Sequence, residues 1–83
     1  MIQSEPIVKR IIALKLKFNI DDVKLEHVLT DNLGADSLDM LEIRLAIEEA
    51  FNISIQDNEI SSMRSVDKIC ELVNRKLAIN NRE

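Results

Sequence analysis

A serine between two aspartates is the feature of this sequence whose residue types could most directly do chemistry. It lies in the segment 33–39, Leu-Gly-Ala-Asp-Ser-Leu-Asp, where a glycine-containing loop gives way to a strongly helical run. If Asp36 is the N-cap, Ser37 is the first residue of that helix, where unpaired backbone N–H groups and the helix dipole favour an anion. The segment offers the hydroxyl no activating base. We therefore interpret Ser37 as a residue that is modified, and not as a nucleophile that the protein itself uses.

The two aspartates have a local and an external role in this interpretation. Asp36 is a candidate N-cap and Asp39 stands at N3, which is the spacing of a capping box. Both carboxylates would repel a phosphodiester on Ser37, so we expect them also to serve a modifying enzyme, by holding a divalent cation or a basic surface. Gly34 is expected to permit close approach of the loop to the start of the helix.

Helical periodicity predicts four helices, the first of which covers about residues 5–18. Ser4 is its candidate cap, and the acid and proline that follow are typical of a first turn. Asn19 is expected to end the helix in the left-handed conformation. The apolar stripe of this helix is predicted to be Ile7, Ile11, Leu14 and Phe18, widened by Val8, Ile12 and Leu16.

The second predicted helix, from Asp36 to about Phe51, carries two apolar stripes. The core stripe consists of Met40, Ile43, Ile47 and Phe51. The second stripe consists of Leu38, Leu41 and Leu45, flanked by Glu42, Glu48 and Glu49. Because the core does not need two stripes, we predict that the second one is a docking face for partners. Core packing of the leucines and simple solvation of the glutamates remain alternatives.

The other predicted elements are less regular. Residues 19–36 form a long connection, whose apolar residues predict that it packs on the core. A short third helix over about 58–63 has Asp57 as its candidate cap. Ser65 is the candidate cap of the fourth helix, and residues 78–83 are expected to fray. The apolar positions of the fourth helix are Val66, Ile69, Cys70, Val73 and Leu77.

Length and composition agree with a small helical domain. A chain of 83 residues is one domain and buries only about 60–65% of the surface that its unfolded form exposes. Hydrophobic residues make up 46% and aromatic residues 2%, so the core must be aliphatic, and one Gly and one Pro do not suit a turn-rich β domain. We predict an all-α four-helix bundle, with three longer helices and one short helix, as a single domain 1–83 with its core over about 5–77.

Several function classes are disfavoured by the same data. The net charge of −4 argues against nucleic acid and favours basic protein partners. Neither a signal peptide nor a membrane span is expected, and a lone cysteine, Cys70, fits a reducing compartment. A hydrolase built on Ser37 and the only histidine, His27, would need a nucleophile elbow and a sheet, which the sequence does not predict. The acidic residues around Gly34 fail the EF-hand spacing, so no metal site is predicted.

Residues 33–39 resemble the attachment motif of acyl carrier proteins of the type II fatty-acid synthase kind. The resemblance extends over roughly residues 5–77 and includes Glu42, Ala46, Glu48, Glu49, Phe51, Ile55, Asp57 and Val66. It implies that a phosphopantetheinyl transferase moves the 4′-phosphopantetheine arm of coenzyme A onto Ser37. It also implies that the thiol of the arm holds acyl groups as thioesters, and that the bundle shelters the acyl chain.

The resemblance further implies which residues meet which partners. Asp36 and Asp39 would help the transferase to bind around Ser37. Acyl-processing enzymes with basic docking patches would meet Leu38, Leu41, Glu42, Arg44, Leu45, Glu48 and Glu49. The chain is then expected to be a monomeric, cytoplasmic carrier of acyl chains in fatty-acid or related biosynthesis, and not an enzyme.

Departures from the family pattern keep alternatives open. Arg44 stands where the family more often has an apolar residue, and we expect it to modulate partner choice. Gln56 stands where a proline is common. The alternatives are a specialised carrier, of the polyketide, lipid A, peptidyl or D-alanyl type, and a helical adaptor without an arm. The presence of Ser37 argues against the adaptor.

Overall fold

The computed structural model describes residues 4–80. In chain order these form the α-helices α1 (Ser4–Leu16), α2 (Leu29–Asn32), α3 (Ser37–Phe51) and α4 (Val66–Asn80), and the 3-10 helices Ile20–Asp22 and Asp57–Met63. The β structure of this part of the chain is one isolated bridge. The all-α prediction is therefore confirmed, and the four predicted helices correspond to α1, α3, the 3-10 helix Asp57–Met63 and α4.

An aliphatic core lies between the three long helices, because α1 packs against both α3 and α4. Its largest fully buried side chains include Ile12, Leu29, Ile43, Ile47, Ile55, Met63, Ile69 and Leu72. The predicted core stripe of α3 is confirmed, with three of its members buried and Met40 half-buried. Leu72 of α4 is a core residue that the sequence analysis did not identify. Within residues 4–80, no helix is both long and apolar enough to cross a bilayer.

The predicted apolar stripe of α1 is partly wrong. Val8 and Ile12 are fully buried and form the centre of the inward face. Leu14 is instead 73% exposed and Phe18 is 40% exposed. The predicted stripe was centred one residue too early, on Ile7 and Ile11, which are both half-buried. Leu14 consequently lies on the solvent side, and Phe18 lies beyond the end of the helix.

The predicted C-terminal end of α1 differs from the structure. Lys17, with a φ of 64°, takes the left-handed conformation, and the Phe18 N–H donates to the Ala13 carbonyl at 2.9 Å. This is the Schellman pattern, two residues earlier than predicted, while Asn19 is extended. At the other end, Ser4 is the first residue that the structure describes and is helical. Its hydroxyl donates to Asn74 Oδ1 at 2.7 Å, which joins α1 to α4.

The predicted long connection packs on the core, as expected. Val23, Leu29 and Leu33 are buried, although Ile20 is exposed. The Leu29 N–H donates to the Arg64 carbonyl at 3.0 Å, one of the backbone bonds that fix this connection to the chain just before α4. The connection is thus held at its middle, and its last residues lead into α3 from a fixed position.

The chain after α3 is also tightly organised. Asn52, with a φ of 53°, ends α3 in the left-handed conformation. Gln56, and not the predicted Asp57, is the N-cap of the next 3-10 helix, and its N–H donates to the Glu59 carboxylate at 2.9 Å. Ser65 precedes α4 as predicted, and its hydroxyl donates to Asp67. The predicted frayed tail begins inside α4, which continues to Asn80, and 81–83 lie outside the described residues.

Candidate functional site

The site is built around the start of α3, where Asp36 is the N-cap and Ser37 is the first helical residue. The Asp39 N–H donates to Asp36 Oδ1 at 2.8 Å, and the Asp36 N–H donates to Asp39 Oδ2 at 3.1 Å. These two bonds form a reciprocal capping box, as the spacing of the two aspartates predicted. Each carboxylate therefore uses one oxygen to fix the start of the helix.

Ser37 is exposed to solvent at this helix terminus. Because α3 is 15 residues long, its dipole places roughly half a positive charge at this end. An anionic group on the Ser37 hydroxyl would meet that charge and the first N–H groups of the helix. His27 lies in the long connection, where its Nδ1 accepts the Lys24 N–H at 3.1 Å.

The loop before Ser37 is held by buried neighbours on both sides of Gly34. Leu33 and Ala35 are both buried, and the Ala35 N–H donates to the Leu29 carbonyl at 2.9 Å. Gly34 has a φ of 73°, and a Cβ placed on it would have no heavy atom within 4 Å. The predicted reason for this glycine, a close approach, is therefore wrong. The glycine is needed because its left-handed conformation is strained for other residues.

A groove of about 520 Å³ begins beside Ser37, between α3 and the 3-10 helix Asp57–Met63. Its apolar lining consists of Ala35, Met40, Leu41, Ile60 and Met63, and its polar lining consists of Thr30, Asp36, Ser37 and Arg44. The bundle was expected to shelter a chain, but these residues were not predicted to line the space that would hold it. The spacing of Ile60 and Met63, three residues apart in a 3-10 helix, was the available signal for the second wall.

The predicted docking leucines lie exposed on α3. Leu38, Leu41 and Leu45 are 61%, 47% and 54% exposed, so core packing does not account for this stripe. Glu42 and Glu49 are also exposed on this helix. The structure therefore presents apolar side chains and acids together on one helix, which is the arrangement that the docking prediction requires.

Arg44 and Glu48 were predicted on the same docking face, but the structure turns both toward the chain after α3. Glu48 Oε2 accepts the Ile55 N–H at 2.7 Å, and Arg44 Nη2 donates to the Ile55 carbonyl at 2.5 Å. Arg44 Nη1 also contacts Asp57 Oδ1 at 3.0 Å. These two residues, one turn apart on α3, clamp the segment around Ile55, so their first role is structural.

Cys70 is not part of this site. It is buried on the inward side of α4, as predicted, and burial raises the pKa of its thiol to about 11. At neutral pH the thiol is therefore protonated and is a poor nucleophile. It behaves as a small hydrophobic side chain in the core.

An exposed serine at a helix N-terminus, in a small helical bundle, is consistent with the class of carrier domains that bear a prosthetic arm. Residues 6–73 match the family model described as "Phosphopantetheine attachment site", which covers most of the chain. Among curated relatives, the acyl carrier protein of Desulforapulum autotrophicum is 44% identical over 70 residues, which are 83% of this chain and 91% of the relative. The chain belongs to the acyl carrier protein family.

Other relatives agree with this assignment. The acyl carrier protein of Petrotoga mobilis is 34% identical over 76 residues, which are 92% of this chain and 89% of the relative. That of Clostridium perfringens is 38% identical over 65 residues, which are 78% of this chain and 86% of the relative. The prosthetic group of the family is 4′-phosphopantetheine, and the residues present fit it, because the exposed Ser37 hydroxyl and an apolar groove lie side by side.

Proposed function

We propose that this protein carries acyl groups on a 4′-phosphopantetheine arm attached to the Ser37 hydroxyl. The observation that supports the attachment point most directly is the position of Ser37, exposed as the first residue of a 15-residue helix. The helix terminus favours the negative charge of a phosphodiester on this oxygen. When bound, the arm supplies a terminal thiol that holds acyl groups as thioesters.

Modification of Ser37 needs an enzyme, and the flanking aspartates support its recognition. A phosphopantetheinyl transferase would form the bond from Ser37 Oγ to the phosphorus of coenzyme A that bears the pantetheine. The pyrophosphate bond of that phosphorus would break, adenosine bisphosphate would leave, and the transferase or solvent would take the hydroxyl proton. Asp36 and Asp39 each give one oxygen to the capping box, and their second oxygens point to a role in binding the transferase or its cation. The capping box thus fixes the acids and the hydroxyl in one arrangement.

In this proposal the groove beside Ser37 and the exposed face of α3 have separate roles. The groove beside Ser37 shelters part of the acyl chain, since its walls are largely apolar. The exposed leucines and acids of α3 dock acyl-processing enzymes with basic patches, because acidic residues steer the encounter and small apolar side chains supply the contact. We infer a single monomeric carrier domain over 1–83, cytoplasmic and without catalysis of its own, in fatty-acid or related biosynthesis.

Mass spectrometry tests the attachment directly. The apo protein is incubated with coenzyme A and a promiscuous phosphopantetheinyl transferase, and we expect a gain of one phosphopantetheinyl group. Ser37→Ala should abolish this gain, whereas Ser61→Ala, at another exposed serine, should leave it unchanged. Loading of the Ser37→Ala variant would refute the assignment, and an unmodified wild type would favour the adaptor without an arm. The intact mass of protein purified from its own host would identify the acyl cargo and hence the pathway.

A further inference from the structure

We propose that Arg44 is the end wall of the groove beside Ser37, and that it limits the length of acyl chain that the groove can shelter. The proposal rests on the proposed function, because it assigns a cargo preference to the same site. Arg44 would set this preference because its side chain crosses the groove.

Arg44 is the last residue that α3 contributes to the lining. The α3 residues that line the groove are Ser37, Met40, Leu41 and Arg44, which are spaced at i, i+3, i+4 and i+7 along one face of the helix. At 1.5 Å per residue, this face extends roughly 10 Å from Ser37 along the helix axis. A chain that enters beside Ser37 and follows α3 therefore meets the Arg44 side chain at the far end.

The Arg44 side chain reaches across from one wall of the groove to the other. Its guanidinium bonds to the Ile55 carbonyl and to the Asp57 carboxylate, at 2.5 and 3.0 Å. Asp57 begins the 3-10 helix whose Ile60 and Met63 form the opposite wall. The arginine thus joins the two walls at this point, and a chain cannot pass between them without breaking both bonds.

The chemistry of the guanidinium reinforces this steric stop. An arginine remains charged at any relevant pH, and its bonds to a carbonyl and a carboxylate are charge-assisted. The end of a saturated acyl chain offers no hydrogen-bond acceptor to replace those two partners. Further methylene groups would therefore either displace a bonded cation or turn back toward solvent, so additional chain length gains no further burial.

A variant without this cation should still fold. Arg44 Nε is buried and has no hydrogen-bond partner among the described residues, so the guanidinium is incompletely compensated where it lies. Its replacement by methionine also removes the donor to the part-buried Ile55 carbonyl, so some stability is lost. Glu48 still holds the Ile55 N–H, so the segment after α3 keeps its second link to the helix. Asp57, its ion-pair partner, is 93% exposed and would remain hydrated after the change. Arg44→Met is therefore the test variant, since it keeps an unbranched side chain but removes the charge.

The test compares proteins acylated on the arm at Ser37 with a series of saturated groups from butanoyl to hexadecanoyl. The thermal midpoint of each is measured against the unacylated holo-protein, and the rate of thioester cleavage by hydroxylamine gives a second readout. In the wild type we expect the gain in midpoint to rise with chain length and then stop. In Arg44→Met the gain should continue for at least one further homologue, by several degrees, with several-fold slower cleavage of the longer thioesters.

The control is Arg64→Met, which removes an exposed arginine outside the groove and should reproduce the wild-type profile. Identical profiles for a folded Arg44→Met and the wild type would overturn the proposal. So would the absence of any chain-length dependence in both proteins, since the groove would then not hold the chain. Failure to load Ser37 is a different result, because it would refute the proposed function itself.

Discussion

At the scale of single residues, the start of α3 is fixed by two reciprocal hydrogen bonds between Asp36 and Asp39. The capping box of Asp36 and Asp39 could be predicted because both partners lie within one turn of the chain. Arg44 was placed on the correct helix, but its bonds to residues more than ten positions away could not be read from helical spacing. Gly34 was predicted to allow a close approach of the loop, but the structure shows that its positive φ is what requires glycine. The sequence alone cannot distinguish these two reasons for a glycine.

Gly34 offers a test at this scale. Gly34→Ala should destabilise the protein by about 1–2 kcal/mol, because a Cβ is strained at a positive φ although there is room for it. Gly34→Asn should cost less, since asparagine tolerates the left-handed conformation better. Chemical denaturation of both variants measures the difference. Equal losses for the two variants would mean that backbone conformation is not what this position requires.

At the scale of elements, the helices with strong local signals were predicted well and the segments between them were not. α3 begins at its predicted cap and has its predicted core face, because both depend on residues close in sequence. The end of α1 was misplaced because Lys17, an unusual left-handed residue, takes the position expected for Asn19. The connection before α3 owes its course to backbone bonds with the chain near Ser65, which no local pattern reveals.

The clamp between α3 and the following chain gives a prediction for an element boundary. Glu48→Ala removes the acceptor of the partly buried Ile55 N–H, so we expect a loss of about 1–3 kcal/mol in the free energy of unfolding. Glu48→Gln keeps an acceptor oxygen and should recover most of that loss.

The matched control is Glu42→Ala, which changes an exposed acid on the same helix. Its stability should be close to that of the wild type, whereas its affinity for a basic partner enzyme should fall. Denaturant unfolding and a binding titration of the three variants separate the two roles. A Glu48→Ala protein as stable as the wild type would contradict the clamp and return Glu48 to the docking face.

At the scale of the whole molecule, a small core must be supplemented by polar links between its elements. Ser4 joins α1 to α4, and Lys76 joins α4 to the 3-10 helix through Glu59 at 2.8 Å. The aliphatic composition predicted the nature of the core. The links were not predictable, since each pairs residues that are distant in sequence. They also differ in kind, because a hydroxyl–amide bond does not titrate in the acid range and a carboxylate does.

Acid should therefore loosen the contact between the 3-10 helix and α4. The Gln56 backbone N–H, and then the Lys76 ammonium, hold the pKa of Glu59 below its ordinary value. A carboxyl whose pKa is lower in the folded state stabilises the fold above its unfolded pKa of about 4, and this contribution disappears as pH falls through the lower folded value.

We expect Glu59→Gln to lower the thermal midpoint near pH 7 and to have a much smaller effect near pH 2, where the wild-type carboxyl is protonated. Thermal unfolding of both proteins across this range measures the difference, with Glu71→Gln, in a long and exposed ion pair, as the control. A difference between wild type and Glu59→Gln that stays constant across the pH range would show that the carboxylate charge does not contribute to this link.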